Sequence, residues 1–297
     1  MRFGIMAMQI NSLIPSGNSP QEMMANLAGF DQTKLVKGLI EKGFNPIEIG
    51  GDLSMFLPHT FGAETIQKLA DLKHSGLNFT VHLPLWSVEP STPLNPVRRG
   101  SADSLIQIIE ATRPLEPEVY VMHATGALAA EFYRMRLPES ARQVLLRQFQ
   151  AGARDSLRRI LQETCLPSRH LAIETIEFPL ELTLELANEL DLSICFDTGH
   201  VLAGFSGDVD FFDALELCLP RLAEVHLHDS PAYKRTHQLG YGQDHAVLGT
   251  GDLELVRFLQ RLEKSTFRGP IIFELTVDQA LESMEEIHSM APQFLPS

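Results

Sequence analysis

Residues 171–200 read LAIETIEFPLELTLELANELDLSICFDTGH, and the order of patterns inside them decides the fold. The run 171–174 is apolar up to its last residue, 180–190 is amphipathic, and 194–197 is a second apolar run that again ends on a carboxylate. A short strand, a helix and another short strand in that order build a parallel βαβ unit. Outward from it the same alternation recurs along the whole chain. Strands are expected at 3–7, 47–49, 79–83, 119–123, 224–228 and 271–275 as well, each followed by a helical pattern. The clearest helices run over 33–42, 64–74, 102–112, 141–163, 180–190, 211–219, 253–264 and 279–290.

Eight such pairs without a Pro/Gly/Ser-rich break or a shift in composition predict one α/β domain over residues 1–297, a single (β/α)8 TIM barrel rather than two doubly wound halves. Two connections are long, 8–32 and 229–252. Both follow a strand, which puts both on the C-terminal face of the barrel, where long loops serve as lids and binding segments. Met6, Met8, Met23 and Met24 read as packing and lid residues.

A hydrophobic fraction of 44% with 21% charged residues excludes wholesale disorder and leaves ample material for a core. The 38 acidic against 24 basic residues give a net charge of −14, which disfavours duplex DNA and anionic membranes as partners. Cys165, Cys195 and Cys218 are odd in number and widely spaced, so neither a disulfide framework nor a zinc-thiolate finger is expected. No apolar run reaches the length of a membrane span, and the opening MRFGIMAMQINSL lacks a basic leader, so a cytoplasmic location is expected.

The chemistry collects where ionisable residues interrupt apolar strands. His82 in TVHLP, His123 in VMHATG, Glu174 in LAIET, Asp197 in CFDTGH, His226 and His228 in EVHLHD and Glu274 in IIFEL end six consecutive strands. In a barrel these positions converge at the C-terminal rim, where an unpaired buried ion costs several kcal/mol and a divalent cation supplies the missing partner. Nitrogen and oxygen donors without thiolates suit Zn²⁺ first and Mn²⁺ second. Strand alternation puts His226 and His228 on one face. His200 follows Asp197 by three residues, and Asp244 and His245 sit late in the seventh loop, placed to close the site from above.

Other candidates concern the substrate. Glu48, in IEIGG, binds a substrate hydroxyl or accepts backbone donors. Trp86 stacks on a ligand or packs at the rim. Tyr233, Lys234, Arg235 and His237 form a basic, aromatic segment that neutralises a phosphate or is a solvated loop. GTGD at 249–252 lacks the lysine and spacing of a P-loop and reads as a turn into an N-capped helix.

The ordered set His82, His123, Glu174, Asp197-Thr-Gly-His200, His226-x-x-Asp229, His245 and Glu274 resembles the endonuclease IV and xylose-isomerase-like TIM-barrel superfamily, AP endonuclease family 2, over most of the chain. In the endonuclease IV branch the resemblance implies up to three metals. Glu174 would bridge the first, held by His82 and His123, and the second, held by Asp197, His226 and Glu274; His200 and His245 would hold the third. That branch carries an Asp two residues before the position of His245, where this chain has Gln243.

The chemistry so implied is phosphodiester hydrolysis, with Glu174, Glu274 and Asp197 as the catalytic carboxylates. The isomerase and epimerase branch implies instead one metal on Glu174, Asp197, His226 and Glu274, with the two glutamates moving protons on a sugar. The full histidine complement favours hydrolysis. The HLPLW segment lacks the tyrosine-containing DNA-penetrating pattern of the repair enzymes, which points to a small or medium phosphorylated substrate instead. HLPLW, EPEVYVMHATGALAAEF and DTGH are similar to cobamide-remodelling phosphodiesterases, which act on the nucleotide loop of corrinoids.

Overall fold

The structure, a computed structural model, describes residues 1–6, 19, 21, 22, 27, 29–73 and 76–295. Strands β1 (Phe3–Met6), β2 (Ile47–Gly50), β3 (Phe79–His82), β4 (Tyr120–Met122), β5 (Leu171–Glu174), β6 (Ser193–Asp197), β7 (Leu222–Leu227) and β8 (Ile271–Phe273) pair in parallel and in chain order. β1 bonds to both β2 and β8, which closes the barrel. The strands are short and nearly all buried, as a sheet covered on one face by helices and filled on the other requires.

The covering helices are α1 (Gln32–Glu41), α2 (Ala63–Lys73), α3 (Asn95–Thr112), α4 (Glu139–Thr164), α5 (Leu180–Glu189), α6 (Phe211–Cys218), α7 (Leu255–Glu263) and α8 (Val277–Met290). Each lies in the interval where a helical pattern is expected. α3 starts earlier than the pattern suggests, at Asn95, because Pro96 in its first turn favours initiation even though NPVRRGS carries no apolar stripe. In α7, Leu255, Phe258, Leu259 and Leu262 are buried, a stripe at helical spacing that docks it on the barrel. Phe273 of β8 stacks on Phe3 at 5.9 Å and meets the edge of Phe44 at 6.2 Å.

Short helices Leu53–Phe56, Ala127–Arg134, Thr198–Leu202 and Tyr233–Thr236 follow β2, β4, β6 and β7, so the C-terminal rim carries the added structure. The expected first-loop segment 8–32, with Met8, Met23 and Met24, lies largely outside the described residues; Met6 ends β1 and is buried.

The connection from β7 to α7 is long and highly organised. Asp229 and Ala246 exchange backbone hydrogen bonds in an antiparallel bridge, which folds the loop back over the mouth. The fully buried Asp229 carboxylate accepts from the amides of Ser230, Gly249, Gly251 and Leu253 at 2.8–3.0 Å. Gly251 has to be glycine here, since a Cβ would collide with Asp229 Oδ1. GTGD is therefore a turn, but the expected N-cap of the helix after it is corrected: Asp252 is used elsewhere. Its carboxylate accepts from the Ala232 amide at 2.7 Å, and Glu254 stands at the start of α7 without a side-chain cap. Because four amides lose their acceptor together, Asp229→Ala is expected to cost on the order of 3 kcal/mol, with Asp229→Asn in between. Urea unfolding measures it; a loss below about 1 kcal/mol would show that other contacts hold the loop.

Candidate metal centre

His82, Glu174 and Asp197 are the last residues of β3, β5 and β6, while His123, His228 and Glu274 stand one residue beyond β4, β7 and β8. Register does the rest. Asp197 pairs with His226 across β6 and β7, so a carboxylate and an imidazole from separate runs lie side by side at one depth. Asp197 also accepts from the His200 amide at 2.7 Å, which starts the helical turn Thr198–Leu202 and swings the His200 ring over the mouth. Gly199 in that turn is in close contact with the next strand; a Cβ there would run into His228 Nδ1.

Glu174 is the hub, and it is 1% exposed. Its Oε2 lies 3.1 Å from His82 Nε2, 3.2 Å from His123 Nε2 and 3.6 Å from His226 Nδ1; its Oε1 lies 3.1 Å from His200 Nδ1. Asp197 Oδ2 is 2.8 Å from His228 Nε2 and 3.8 Å from His226 Nδ1. Glu274 Oε2 is 3.2 Å from His226 Nδ1 and 3.7 Å from His245 Nε2. Asp244 pairs with His245 at 3.0 Å and with His200 at 3.6 Å. Among the described residues, the ion pairs of Glu174 and Asp197 are made with imidazoles alone.

Three adjoining sets at the mouth have donor atoms within 4.8 Å of one another: His82, His123 and Glu174; Glu174, Asp197, His226 and Glu274; and His200, His228 and His245. Glu174 Oε1, His200 Nδ1 and His226 Nδ1 are buried without a properly directed hydrogen bond. Buried carboxylates, imidazoles and orphaned donor atoms in one cluster fit divalent cations.

The same geometry shifts protons in the metal-free chain. Burial works against a charged His82, but the Glu174 carboxylate outweighs it and raises the imidazole to about 9. For His245 burial is likewise outweighed by Asp244 and Glu274, which raise it to about 10. His200 and His226 are also raised well above the ordinary range, against burial, by the carboxylates around them. Burial pulls Glu174 and Glu274 upward, and the neighbouring imidazoles hold both well below the usual carboxylate range.

Of the residues expected to bind substrate, the structure regroups most. His228 joins His200 and His245, stacked on His245 with ring centroids 4.3 Å apart, in the set that lacks the Asp replaced by Gln243. Glu48 is corrected: it is fully buried beneath His226, 3.3 Å from its Nε2, and does not reach the open mouth. Tyr233 and Arg235 stand in the segment after β7. Arg235 pairs with Asp252 and Lys234 with Asp210, and Tyr233 lines a separate cleft with Gly204, Phe212 and Arg257. Trp86 stands at the rim, 41% exposed, edge-on to Phe56, its amide held by Asp52.

Two groups escape the sequence reading. Glu224 lies under His226, and its alternation with His226 and His228 is the available signal. Burial and the Glu48 charge push its carboxyl well above the ordinary range. At the rim, Arg134 pairs with Glu177 at 3.1 Å and lies over Tyr241, which stacks on Phe205 beside His200. These residues come from loops after β4, β5, β6 and β7, and no local motif announces such a meeting.

Loading a divalent cation onto protonated imidazoles must release protons. Zn²⁺ affinity is therefore expected to rise with pH, about tenfold per unit for each proton released, and not to level off until above about 10, where His245 has lost its proton. The metal-free protein behaves oppositely. A histidine raised above 6.5 adds stability that is fully present below that pH and is lost as pH rises through about 9. Titration calorimetry in buffers of different ionisation heat, with melting curves over the same range, reads both signs; a pH-independent affinity would contradict the arrangement.

Comparison with known proteins agrees with the barrel. Over 232 residues the chain is 24% identical to the uncharacterized protein MJ1311 of Methanocaldococcus jannaschii, covering 76% of this chain and 75% of that one. A crystal structure of a D-tagatose 3-epimerase-like protein superposes with a TM-score of 0.70 at 19% identity, covering 99% of this chain and 98% of the other. Endonuclease IV from Thermus thermophilus superposes with a TM-score of 0.64 at 17% identity, over 99% of this chain and 100% of the other. At those identities the solved structures establish the fold alone. Residues 38–295 match the family described as xylose isomerase-like TIM barrel, and the chain belongs to that family.

Proposed function

We propose that the chain is a divalent-metal-dependent hydrolase that cleaves a phosphodiester in a small or medium nucleotide-containing substrate, the nucleotide loop of a cobamide being the class its sequence resemblance favours. One observation carries this reading: two ligand sets at the mouth share Glu174, and a third, His200, His228 and His245, adjoins them through the contact of His200 with that carboxylate. Chemistry on a single cation needs only Glu174, Asp197, His226 and Glu274. The additional sets, His82 with His123 on one flank and His200, His228 and His245 on the other, are surplus to it.

When bound, divalent cations supply Lewis-acid activation of water and neutralise charge on phosphoryl oxygens. Zn²⁺ or Mn²⁺ suits the donor set. Glu174 is placed to hold two sets together, since its two oxygens face different imidazoles. Asp197 fixes His228 through Nε2 and, through its own Oδ1, the turn that carries His200. Glu274, 14% exposed, is the most accessible carboxylate of the shared set and faces the substrate side, where it can accept a proton. Arg134, beside Glu177 at the rim, offers a cation to an anionic group. With a net charge of −14, duplex DNA is not proposed as the substrate.

A second reading has its own support. The set Glu174, Asp197, His226 and Glu274 is complete for one cation, and an epimerase-like protein shares the fold. On a sugar, Glu174 and Glu274 would move protons between carbon and oxygen.

Metal counting with two substrates separates the readings. We expect more than one Zn²⁺ or Mn²⁺ per chain and turnover of bis(p-nitrophenyl) phosphate. Glu174→Gln should keep the far-ultraviolet circular dichroism of the barrel while lowering that turnover by about 10²–10³-fold and weakening metal retention. One ion per chain with interconversion of ketoses overturns the hydrolase reading in favour of the epimerase.

A further inference from the structure

Directly beneath the mouth, the barrel interior holds a second polar layer that the proposed reaction does not use. Glu48 of β2 and Glu224 of β7 face the inner edge of the His226 ring, Cys195 of β6 contacts that ring, Thr80 of β3 bonds to Glu224, and all are fully buried. Register assembles them: Glu48 pairs with Thr80 across β2 and β3, and Cys195 pairs with Glu224 across β6 and β7. The imidazole therefore stands between two layers. Its Nδ1 faces the mouth, 3.2 Å from Glu274, 3.6 Å from Glu174 and 3.8 Å from Asp197. Its Nε2 faces inward, 3.3 Å from Glu48 Oε2 and 3.6 Å from Glu224 Oε1.

The two carboxylates are not equivalent. Glu224 Oε1 already accepts from the Thr80 hydroxyl at 3.3 Å, whereas neither oxygen of Glu48 has a hydrogen-bond donor directed at it. Leaving a carboxylate oxygen bare at zero exposure costs several kcal/mol; the groups able to relieve Glu48 are the N–H of His226, 3.3 Å away, and the carboxyl of Glu224 when that group is protonated.

We propose that Glu48 is the positioning residue of His226: it accepts the Nε2 proton, fixes the tautomer that leaves the Nδ1 lone pair facing Glu174, Asp197 and Glu274, and makes that nitrogen a stronger donor to a cation. Glu224, braced by Thr80, limits rotation of the ring from the other side. A metal-ligating histidine generally needs such a carboxylate on its second nitrogen, and losing it weakens metal binding by about 10–100-fold. The inference rests on His226 serving as a metal ligand in the reading above.

Glu48, Glu224 and His226 Nε2 also lie close enough together to hold a cation of their own. An ion there would take the Nε2 lone pair. It would either force the ring to bridge two metals as an anion or leave a proton on Nδ1, pointing at the mouth. The tautomer argument favours a proton on Nε2 instead.

The test uses the full chain and Zn²⁺ alone, with affinity read by chelator competition and ligand geometry by Co²⁺ absorption. Glu48→Gln, nearly isosteric, keeps an acceptor but loses the charge; Glu48→Leu removes both. We expect unchanged metal stoichiometry, Zn²⁺ binding at the His226 set weakened by about tenfold or more in Glu48→Gln and further in Glu48→Leu, and an altered Co²⁺ spectrum. Glu48→Asp should recover part of the affinity. Three outcomes overturn the proposal. A Glu48→Gln chain that melts earlier yet binds Zn²⁺ as tightly as the wild type would make Glu48 a packing residue. Loss of one ion per chain in that variant, with the remaining affinities unchanged, would make Glu48 a ligand of an inner cation. A wild-type chain that binds no Zn²⁺ removes the metal reading and this inference together.

Discussion

Burial of Glu174 is the constraint on which the rest depends. A carboxylate that is 1% exposed has to be compensated from all sides, and the compensation comes from imidazoles on β3, β4 and β7 and on the turn after β6. No local stretch of chain could supply them. A closed parallel barrel can, because every strand delivers its C-terminal residue to one ring at one end. Stability and site assembly are thus tied together: each member is costly to bury alone and favourable in company, so losing the register of one strand would leave charges stranded on its neighbours.

The seventh loop extends that dependence beyond the strands. Asp229, one residue after His228, is bridged to Ala246 and gathers the amides of Gly249, Gly251 and Leu253. Asp244 and His245 ride just ahead of that anchored turn and reach the mouth because the bridge fixes where the loop turns back. His228 Nδ1 in turn contacts the Asp244 carbonyl, so an imidazole of the cluster also buttresses the loop. Gly199 permits the approach, and any larger residue would separate DTGH from the His228 ring.

How far this is legible in the sequence differs from residue to residue. Asp197, His226 and Glu174 end apolar runs, and alternation alone predicts that they share an end and a face. The barrel follows from counting such runs. Glu48 shows where the reading stops. In Ile47-Glu48-Ile49, a short strand in the sequence reading, it looks like a rim residue, but β2 continues to Gly50, which pairs with His82, while Glu48 pairs with Thr80 two positions deeper. Depth in a barrel is set by register between strands, and a single strand's pattern does not contain it. Arg235 and Lys234 stay ambiguous in sequence for another reason. A basic loop segment announces charge without direction, and here Asp252 and Asp210 absorb it away from the mouth. The ends of helices are least legible: the helix after GTGD is expected to be N-capped, yet the Asp252 carboxylate is on Ala232 and Glu254 starts the helix without a side-chain cap.

Charge arithmetic at the mouth connects metal number to substrate. Glu174, Asp197 and Glu274 carry three negative charges within the shared set, and imidazoles bound to metal are neutral. One dication leaves that set net negative, a setting that accepts an uncharged sugar and repels a phosphate. Two dications exceed the three carboxylates of that set and balance the charge once Asp244, paired with His245 and His200, is counted, so the mouth becomes neutral inside a molecule of net charge −14. A neutral mouth no longer repels a compact anion that fits within it, while the surrounding negative surface turns away a long polyanion. His82 and His123 add donors beside Glu174 without adding negative charge, while His200 and His245 on the other flank come with Asp244. The His82 and His123 flank can therefore recruit a second cation and offset the negative charge of the mouth, which is what a phosphodiester needs and a ketose does not.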